Sequence, residues 1–202
     1  MHRLAITILL LTSCLATAGV ALALPPSSDL GGDDGSLTWS VSRSGDTVTI
    51  RGKSPRWTVV HTATADLTPI RTERSEPDGR SVVIDYTTSG ATVVLPERTV
   101  VLDEDDIWDG DTLDIRLGQR AAAGRPEVSF RAVDTASGKV YGFESTEIGE
   151  ESCGDRACTH VKLTLSGLLK AVGPKFHYWF GADGQLLRFE GPAGTFVAED
   201  GR

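Results

Sequence analysis

The sequence lacks the features of a nucleic-acid-binding protein and of a polytopic membrane protein. Its 20 Lys and Arg residues are outnumbered by 28 Asp and Glu residues, which gives a net charge of −8. The basic residues form no cluster that would neutralise a phosphate backbone or anionic lipid head groups. After residue 24, no apolar run approaches the ~20 residues that a membrane-spanning helix needs. We therefore expect no nucleic-acid partner, and no transmembrane span once an N-terminal signal has been removed.

Catalytic and metal-binding motifs are also missing from the sequence. It contains neither the G-x-S-x-G motif of a nucleophile elbow nor an S-x-x-K motif. Its histidines are scattered, with none of the close pairs that are typical of metal sites. These absences predict a protein that is not an enzyme and that needs no cofactor.

The N-terminal 23 residues have the three parts of a secretory signal peptide. Arg3 supplies a positive charge, an apolar run covers Leu4 to Leu11, and Ala21-Leu22-Ala23 is a small-x-small cleavage site. This arrangement predicts export to the periplasm or beyond. An alternative is a lipoprotein anchored at Cys14, because Leu11-Thr12-Ser13-Cys14 fits a lipobox.

The rest of the sequence predicts one β domain behind a linker. Residues 24–36 are rich in Pro, Gly, Ser and Asp, which is typical of a flexible linker. Over residues 37–199, short runs that alternate apolar and polar side chains are separated by turn signals, as in Val128–Val133. One further predicted strand covers Thr112–Leu117. The pattern favours an all-β, mainly antiparallel meander, sandwich or barrel over βαβ units.

Two cysteines remain after the signal, Cys153 and Cys158. An even number of cysteines at short spacing in an oxidising compartment predicts a disulfide. Closing so short a loop would stabilise the fold by roughly 2 kcal/mol. A redox-active pair, or a metal site completed by His160, is the alternative interpretation.

An acidic segment from Asp103 to Asp114 is the strongest candidate for a metal site. Calcium favours oxygen ligands, and Asp105, Asp109 and Asp111 are the candidates here. An EF-hand alignment fails, because Ile107 and Arg116 occupy ligand positions. The alternative is a solvated acidic connection with Trp108 packed onto the sheet.

Aromatic residues concentrate in one hairpin near the C-terminus. Tyr178, Trp179 and Phe180 lie there and, with Trp57, are our candidates for lining a hydrophobic ligand groove. The alternative is an ordinary core strand.

Three elements resemble a family of secreted bacterial proteins of unknown function (domain of unknown function 3108). They are Leu67-Thr68-Pro69-Ile70-Arg71, Asp111-Thr112-Leu113, and the aromatic strand–turn–strand from Tyr178 to Glu190. That family is similar in architecture to the periplasmic lipoprotein carriers of the Lol pathway. The resemblance implies a strongly curved antiparallel sheet, half-barrel or clam-like, with a β-sandwich as the alternative, and it implies no enzyme activity.

Together these features predict an exported, non-catalytic envelope protein. Its expected partner is a hydrophobic small molecule, a lipid, or a lipidated or other envelope protein held in the curved sheet. Two other hypotheses remain open. One is a structural or protein-interaction module, and the other is a hydrolase that depends on carboxylates or calcium.

Overall fold

The structure, a computed structural model, describes residues 28–32, 35–192 and 194–198. The expected signal peptide over 1–23 and the lipidation candidate Cys14 lie outside these residues. The described residues form fifteen strands and one α-helix, α1 (Leu113–Ala122). The strands are β1 (Ser28–Gly32), β2 (Gly35–Ser44), β3 (Thr47–Ser54), β4 (Trp57–Thr64), β5 (Pro69–Ser75), β6 (Ser81–Thr87), β7 (Gly90–Leu95), β8 (Arg98–Leu102), β9 (Ile107–Asp109), β10 (Val128–Asp134), β11 (Lys139–Cys153), β12 (Arg156–Leu165), β13 (Lys175–Phe180), β14 (Leu186–Gly191) and β15 (Gly194–Ala198). Short 3₁₀ helices cover Gly110–Thr112 and Gly167–Lys170.

All fifteen strands belong to one sheet. Its order is β8-β7-β6-β5-β4-β3-β2-β1-β15-β14-β13-β12-β11-β10-β9, so strands that follow each other in the chain are mostly neighbours. The pairs are antiparallel except β9 with β10, and β1 pairs with β15 to join the two halves of the meander. The antiparallel β prediction is therefore confirmed, as one continuous sheet and not as a two-sheet sandwich.

The sheet curls until its two ends face each other, but it does not close. Ile84 of β6 and Val93 of β7 pack in one cluster with Ile107 of β9 and Val133 of β10. The edge strands β8 and β9 are not hydrogen-bonded neighbours in the sheet. Side chains from opposite ends of the sheet thus meet across the interior, which makes the architecture barrel-like.

Helix α1 lies inside this curl, where the sequence predicted a strand over Thr112–Leu117. Leu113 and Leu117 pack with the cluster formed by β10 to β15, whereas Ile115 packs with Val48 and Ile50 on the opposite wall. Leu113, Ile115 and Leu117 alternate with polar residues over this short segment, and that period of two resembles the pattern of a strand. Among the residues that the structure describes, no helix is long and apolar enough to span a bilayer.

The predicted linker over residues 24–36 is wrong where the structure describes it. Ser28–Gly32 forms β1, whose Leu30 is fully buried, and β2 already begins at Gly35. The strand forms because β2 and β15 supply main-chain partners on both of its sides. Small and polar residues are compatible with such a strand when its backbone groups are paired on both edges.

Candidate ligand-binding cavity

An open cavity lies inside the curled sheet, next to the start of α1. It has two lobes of about 200 and about 500 Å³, and Leu113, Tyr178 and Phe189 belong to the walls of both. The larger lobe lies within the range of small-molecule pockets, roughly 300–1,000 Å³. Most of the other wall residues are also apolar: Leu37, Trp39, Trp57, Leu186 and Phe196 in the first lobe, and Val133, Phe143, Leu163, Leu165 and Phe176 in the second.

The structure brings two of the four predicted ligand-binding residues to this cavity. The Trp57 ring lies 5.7 Å from that of Trp39 in the wall of the first lobe. Tyr178 is buried between the lobes. Phe180 points to the same side of β13 but is fully buried in the core cluster that contains Leu117 of α1. The ligand-binding role of these residues stays a prediction.

Trp179, the fourth candidate, projects from the opposite face of β13. There its ring stacks on His160 at 4.2 Å between centroids, and its Nε1 donates to Glu151 Oε2 at 2.9 Å. His160 Nδ1 lies 2.6 Å from the other Glu151 oxygen, and His160 Nε2 lies 2.8 Å from His177 Nδ1. Two of the scattered histidines thus join a hydrogen-bonded chain that ties β11, β12 and β13 together.

The third histidine, His61, belongs to a separate polar cluster inside the curl, centred on Asp109. The Thr72 and Tyr86 hydroxyls each donate to Asp109 Oδ2 at 2.6 Å. Because Thr72 gives its single proton to Asp109, its oxygen must accept from His61 Nδ1, 2.7 Å away. Burial lowers the pKa of His61 by more than the negative charge of Asp109 raises it, so the imidazole is neutral at neutral pH. This cluster joins β4, β5 and β6 to β9 across the interior.

A second interior carboxyl, Asp111, has its own partners. Arg74 Nη1 donates to Asp111 Oδ1 at 2.7 Å, and the Thr135 hydroxyl donates to Oδ2 at 2.6 Å. Burial, followed by repulsion from Asp109, raises its pKa from 3.8 to about 7. Asp111 therefore completes the polar contact between β5 and the end of β10.

A third carboxyl, Asp114, lines the first lobe beside Tyr178. Burial raises its pKa from 3.8 to about 7, although the main-chain N–H groups of Ile115 and of Asp114 itself hydrogen-bond to it. The pKa of Tyr178 is raised by burial and by the Asp114 charge. The wall of this lobe thus combines aromatic surface with a carboxyl that titrates near neutral pH.

The acidic segment does not assemble a calcium site. Asp105 is exposed, Asp109 is buried and Asp111 is partly buried, and the last two have the hydroxyl and guanidinium partners described above. Within the described residues, no group of three His, Cys, Asp or Glu side chains is placed to hold a metal ion. Trp108 packs inward, stacked on Phe130 at 4.0 Å, as the alternative interpretation of this segment predicted.

The predicted disulfide between Cys153 and Cys158 is present. The two residues flank the turn between β11 and β12, with Gly154 at a positive φ of 66°, and their Cα atoms lie 6.0 Å apart. The bond clamps the tip of this hairpin, away from the cavity.

Sequence reasoning missed the role of Asp111 and Asp114 as cavity residues. The many carboxylates between Asp103 and Asp114 favour a solvated or calcium-binding loop over a buried segment. A signal was present in the immediate neighbours of Asp114, since Leu113 and Ile115 are both apolar. A lone acidic residue between buried apolar residues is itself an indication of a buried carboxyl.

Comparisons with known proteins place the fold but not the function. No family model matches the chain, and no curated protein matches it significantly. Its fold is similar to the crystal structure of a β-barrel-like protein of a domain of unknown function, DUF1849, from Brucella abortus. The two share 12% sequence identity with a TM-score of 0.56, over 89% of this chain and 96% of that chain. The likeness indicates an uncharacterised β fold, without singling out family 3108 or the Lol carriers.

Proposed function

We propose that this protein is an exported, non-catalytic binding protein that holds a hydrophobic molecule inside its curled sheet. The ligand is a small apolar compound or an acyl chain, either free or attached to a lipidated partner. The observation that carries the proposal is the open apolar cavity beside α1, with Trp57 and Tyr178 in its walls.

Three further features support this function. The cavity walls are rich in aromatic and aliphatic side chains and contain few polar groups, as is typical of small-molecule sites. The Cys153–Cys158 disulfide is compatible with an exported protein. The sequence also lacks the G-x-S-x-G and S-x-x-K motifs of serine hydrolases and the close histidine pairs of metal sites.

A fluorescent probe titration tests the proposal. N-phenyl-1-naphthylamine, which becomes fluorescent in apolar surroundings, should bind the purified protein saturably at one site. Leu165 lies in the wall of the larger lobe and is only half-buried, so Leu165→Trp should fill part of the lobe without breaking the core. We expect this variant to weaken probe binding by at least about ten-fold, or 1.4 kcal/mol.

The matched control is Ile70→Trp, which adds the same ring at an exposed position on β5. It should leave probe binding unchanged, and thermal melting should show that both variants fold. If the wild-type protein shows no saturable binding, or if both variants bind the probe as tightly as wild type, the cavity is not the binding site and the proposal is wrong.

A further inference from the structure

One carboxyl in the cavity wall has no side-chain partner. Asp114, the second residue of α1, is 8% exposed and lines the first lobe. Its hydrogen bonds come from main-chain N–H groups at the start of the helix. Across residues 28–32, 35–192 and 194–198, no side chain donates a hydrogen bond or a positive charge directly to this carboxyl.

The neighbouring interior carboxyls show that this arrangement is unusual for the molecule. Asp109 accepts from Thr72 and Tyr86, and Asp111 accepts from Arg74 and Thr135. Both are therefore satisfied by the protein itself. Asp114 has main-chain hydrogen bonds but no opposite charge beside it, and burying an ionised carboxylate without an opposite charge is unfavourable, so Asp114 is the group that a ligand would satisfy.

The surrounding charges favour a positive group as the missing partner. Three carboxyls lie near the start of α1. The guanidinium of Arg74 is bound to one of them, Asp111, and a second arginine of the first lobe, Arg56, is exposed to solvent. His61 is neutral in its buried position. A cationic donor would be attracted to this cluster, and an anionic head group would be repelled by it.

We propose that the cavity takes an amphiphile with a protonated amine head, which donates to Asp114, and an apolar tail that extends past Tyr178 into the larger lobe. This inference rests on the proposed function, since it names the ligand class of the same cavity. Tyr178 and Phe189 lie in the walls of both lobes, so the lobes adjoin at apolar side chains, next to the lobe that holds Asp114.

Three probes of equal chain length test the choice of head group: dodecylamine, dodecanol and dodecanoate, each below its micelle concentration. Their dissociation constants are measured by displacement of N-phenyl-1-naphthylamine at about pH 8, where the alkyl amine keeps its proton. Only the amine can form a desolvated charge pair with Asp114, so we expect dodecylamine to bind at least about ten-fold more tightly than either other probe.

The variant Asp114→Asn keeps the size of the side chain and removes its charge. It should reduce the preference for dodecylamine over dodecanol to less than about three-fold. The control Asp105→Asn makes the same charge change at an exposed residue outside the cavity, and should preserve the wild-type preference. Thermal melting confirms that both variants are folded.

The outcomes separate this inference from the proposed function. If all three probes bind equally, or if Asp114→Asn keeps the preference for dodecylamine, the ligand class is wrong while the cavity proposal stands. Tightest binding of dodecanoate would likewise overturn it and would place the head group near Arg56, the exposed arginine of the first lobe. If no probe binds and N-phenyl-1-naphthylamine does not bind either, both proposals fail.

Discussion

Replacing Asp114 by asparagine should stabilise the folded protein increasingly as the pH rises from 3.8 to about 7, and should leave its stability below pH 3.8 nearly unchanged. The carboxyl is buried in the wall of an apolar cavity, and its pKa is raised from 3.8 to about 7. Asparagine has the same shape and can accept the same main-chain hydrogen bonds at the start of α1, but it carries no charge. The stabilities of the two proteins should therefore differ wherever the carboxyl is ionised in the unfolded chain, which is above pH 3.8.

The sign and the size of this effect follow from proton linkage. Because the pKa is higher in the folded state, the folded protein keeps the proton between pH 3.8 and about 7, whereas the unfolded chain has lost it. The stabilisation that the protonated Asp114 carboxyl contributes is fully present below its unfolded-state pKa of 3.8. It is lost as the pH rises from that value through the folded-state pKa of about 7. At 1.36 kcal/mol for each pH unit, the full effect is on the order of 4 kcal/mol.

Urea denaturation between about pH 4 and about pH 8 measures this difference. The free energy of unfolding of Asp114→Asn minus that of wild type should start near zero and rise to several kcal/mol in favour of the variant. Asp111 also titrates near neutral pH, but it is present in both proteins, so its direct contribution cancels. Asp105→Asn, at an exposed site, should show no such rise. A difference that stays constant with pH, or a variant that is less stable in alkali, would refute the reasoning.

Three other substitutions test the interior contacts and the hairpin clamp. Thr72→Val removes one of the hydroxyl donors of Asp109 and the acceptor of the buried His61 Nδ1, and should lower the free energy of unfolding by about 1–3 kcal/mol. Thr58→Val, at an exposed position of β4, should have little effect in the same urea assay. Gly118→Ala would place a methyl group against a main-chain carbonyl of the turn between β13 and β14, and should lower the free energy of unfolding by about 1–3 kcal/mol. An unchanged urea midpoint would mean that α1 does not pack against this turn. Replacing Cys153 and Cys158 by serine should cost roughly 2 kcal/mol, and dithiothreitol should then lower the melting temperature of wild type but not of the variant.

The strands were predictable because each has its own local signal. Alternating side chains and Gly-containing turns mark hairpins such as β2–β3 and β13–β14, and a period of two needs no knowledge of the partner strand. Strand β1 and helix α1 were not predictable in this way. β1 depends on β15, which comes from the opposite end of the described chain, and α1 shows its burial only when both walls of the curled sheet are known.

For the candidate site, the sequence predicts only which side chains of a strand share a face, because side chains alternate between the two faces. Tyr178 and Trp179 follow each other in β13, so they must point to opposite faces, and only one of them can line the interior. That constraint was present in the sequence. Phe180 shares the face of Tyr178, but the packing of α1 removes it from the cavity wall, and this depends on a helix that the sequence pattern concealed.

Two of the three interior carboxyls, Asp109 and Asp111, join strands of the sheet, whereas our proposal gives the third, Asp114, a role in ligand binding. Asp109 and Asp111 link β4, β5 and β6 to the β9–β10 end of the sheet through side chains across the interior, whereas the edge strands β8 and β9 are not hydrogen-bonded neighbours. Asp114 makes no such link and reduces stability at neutral pH. A residue that weakens the fold without joining any of its parts is best explained by a requirement outside the fold. Because its carboxyl lies in the wall of the cavity, the simplest requirement is a ligand that enters with a group to bind it.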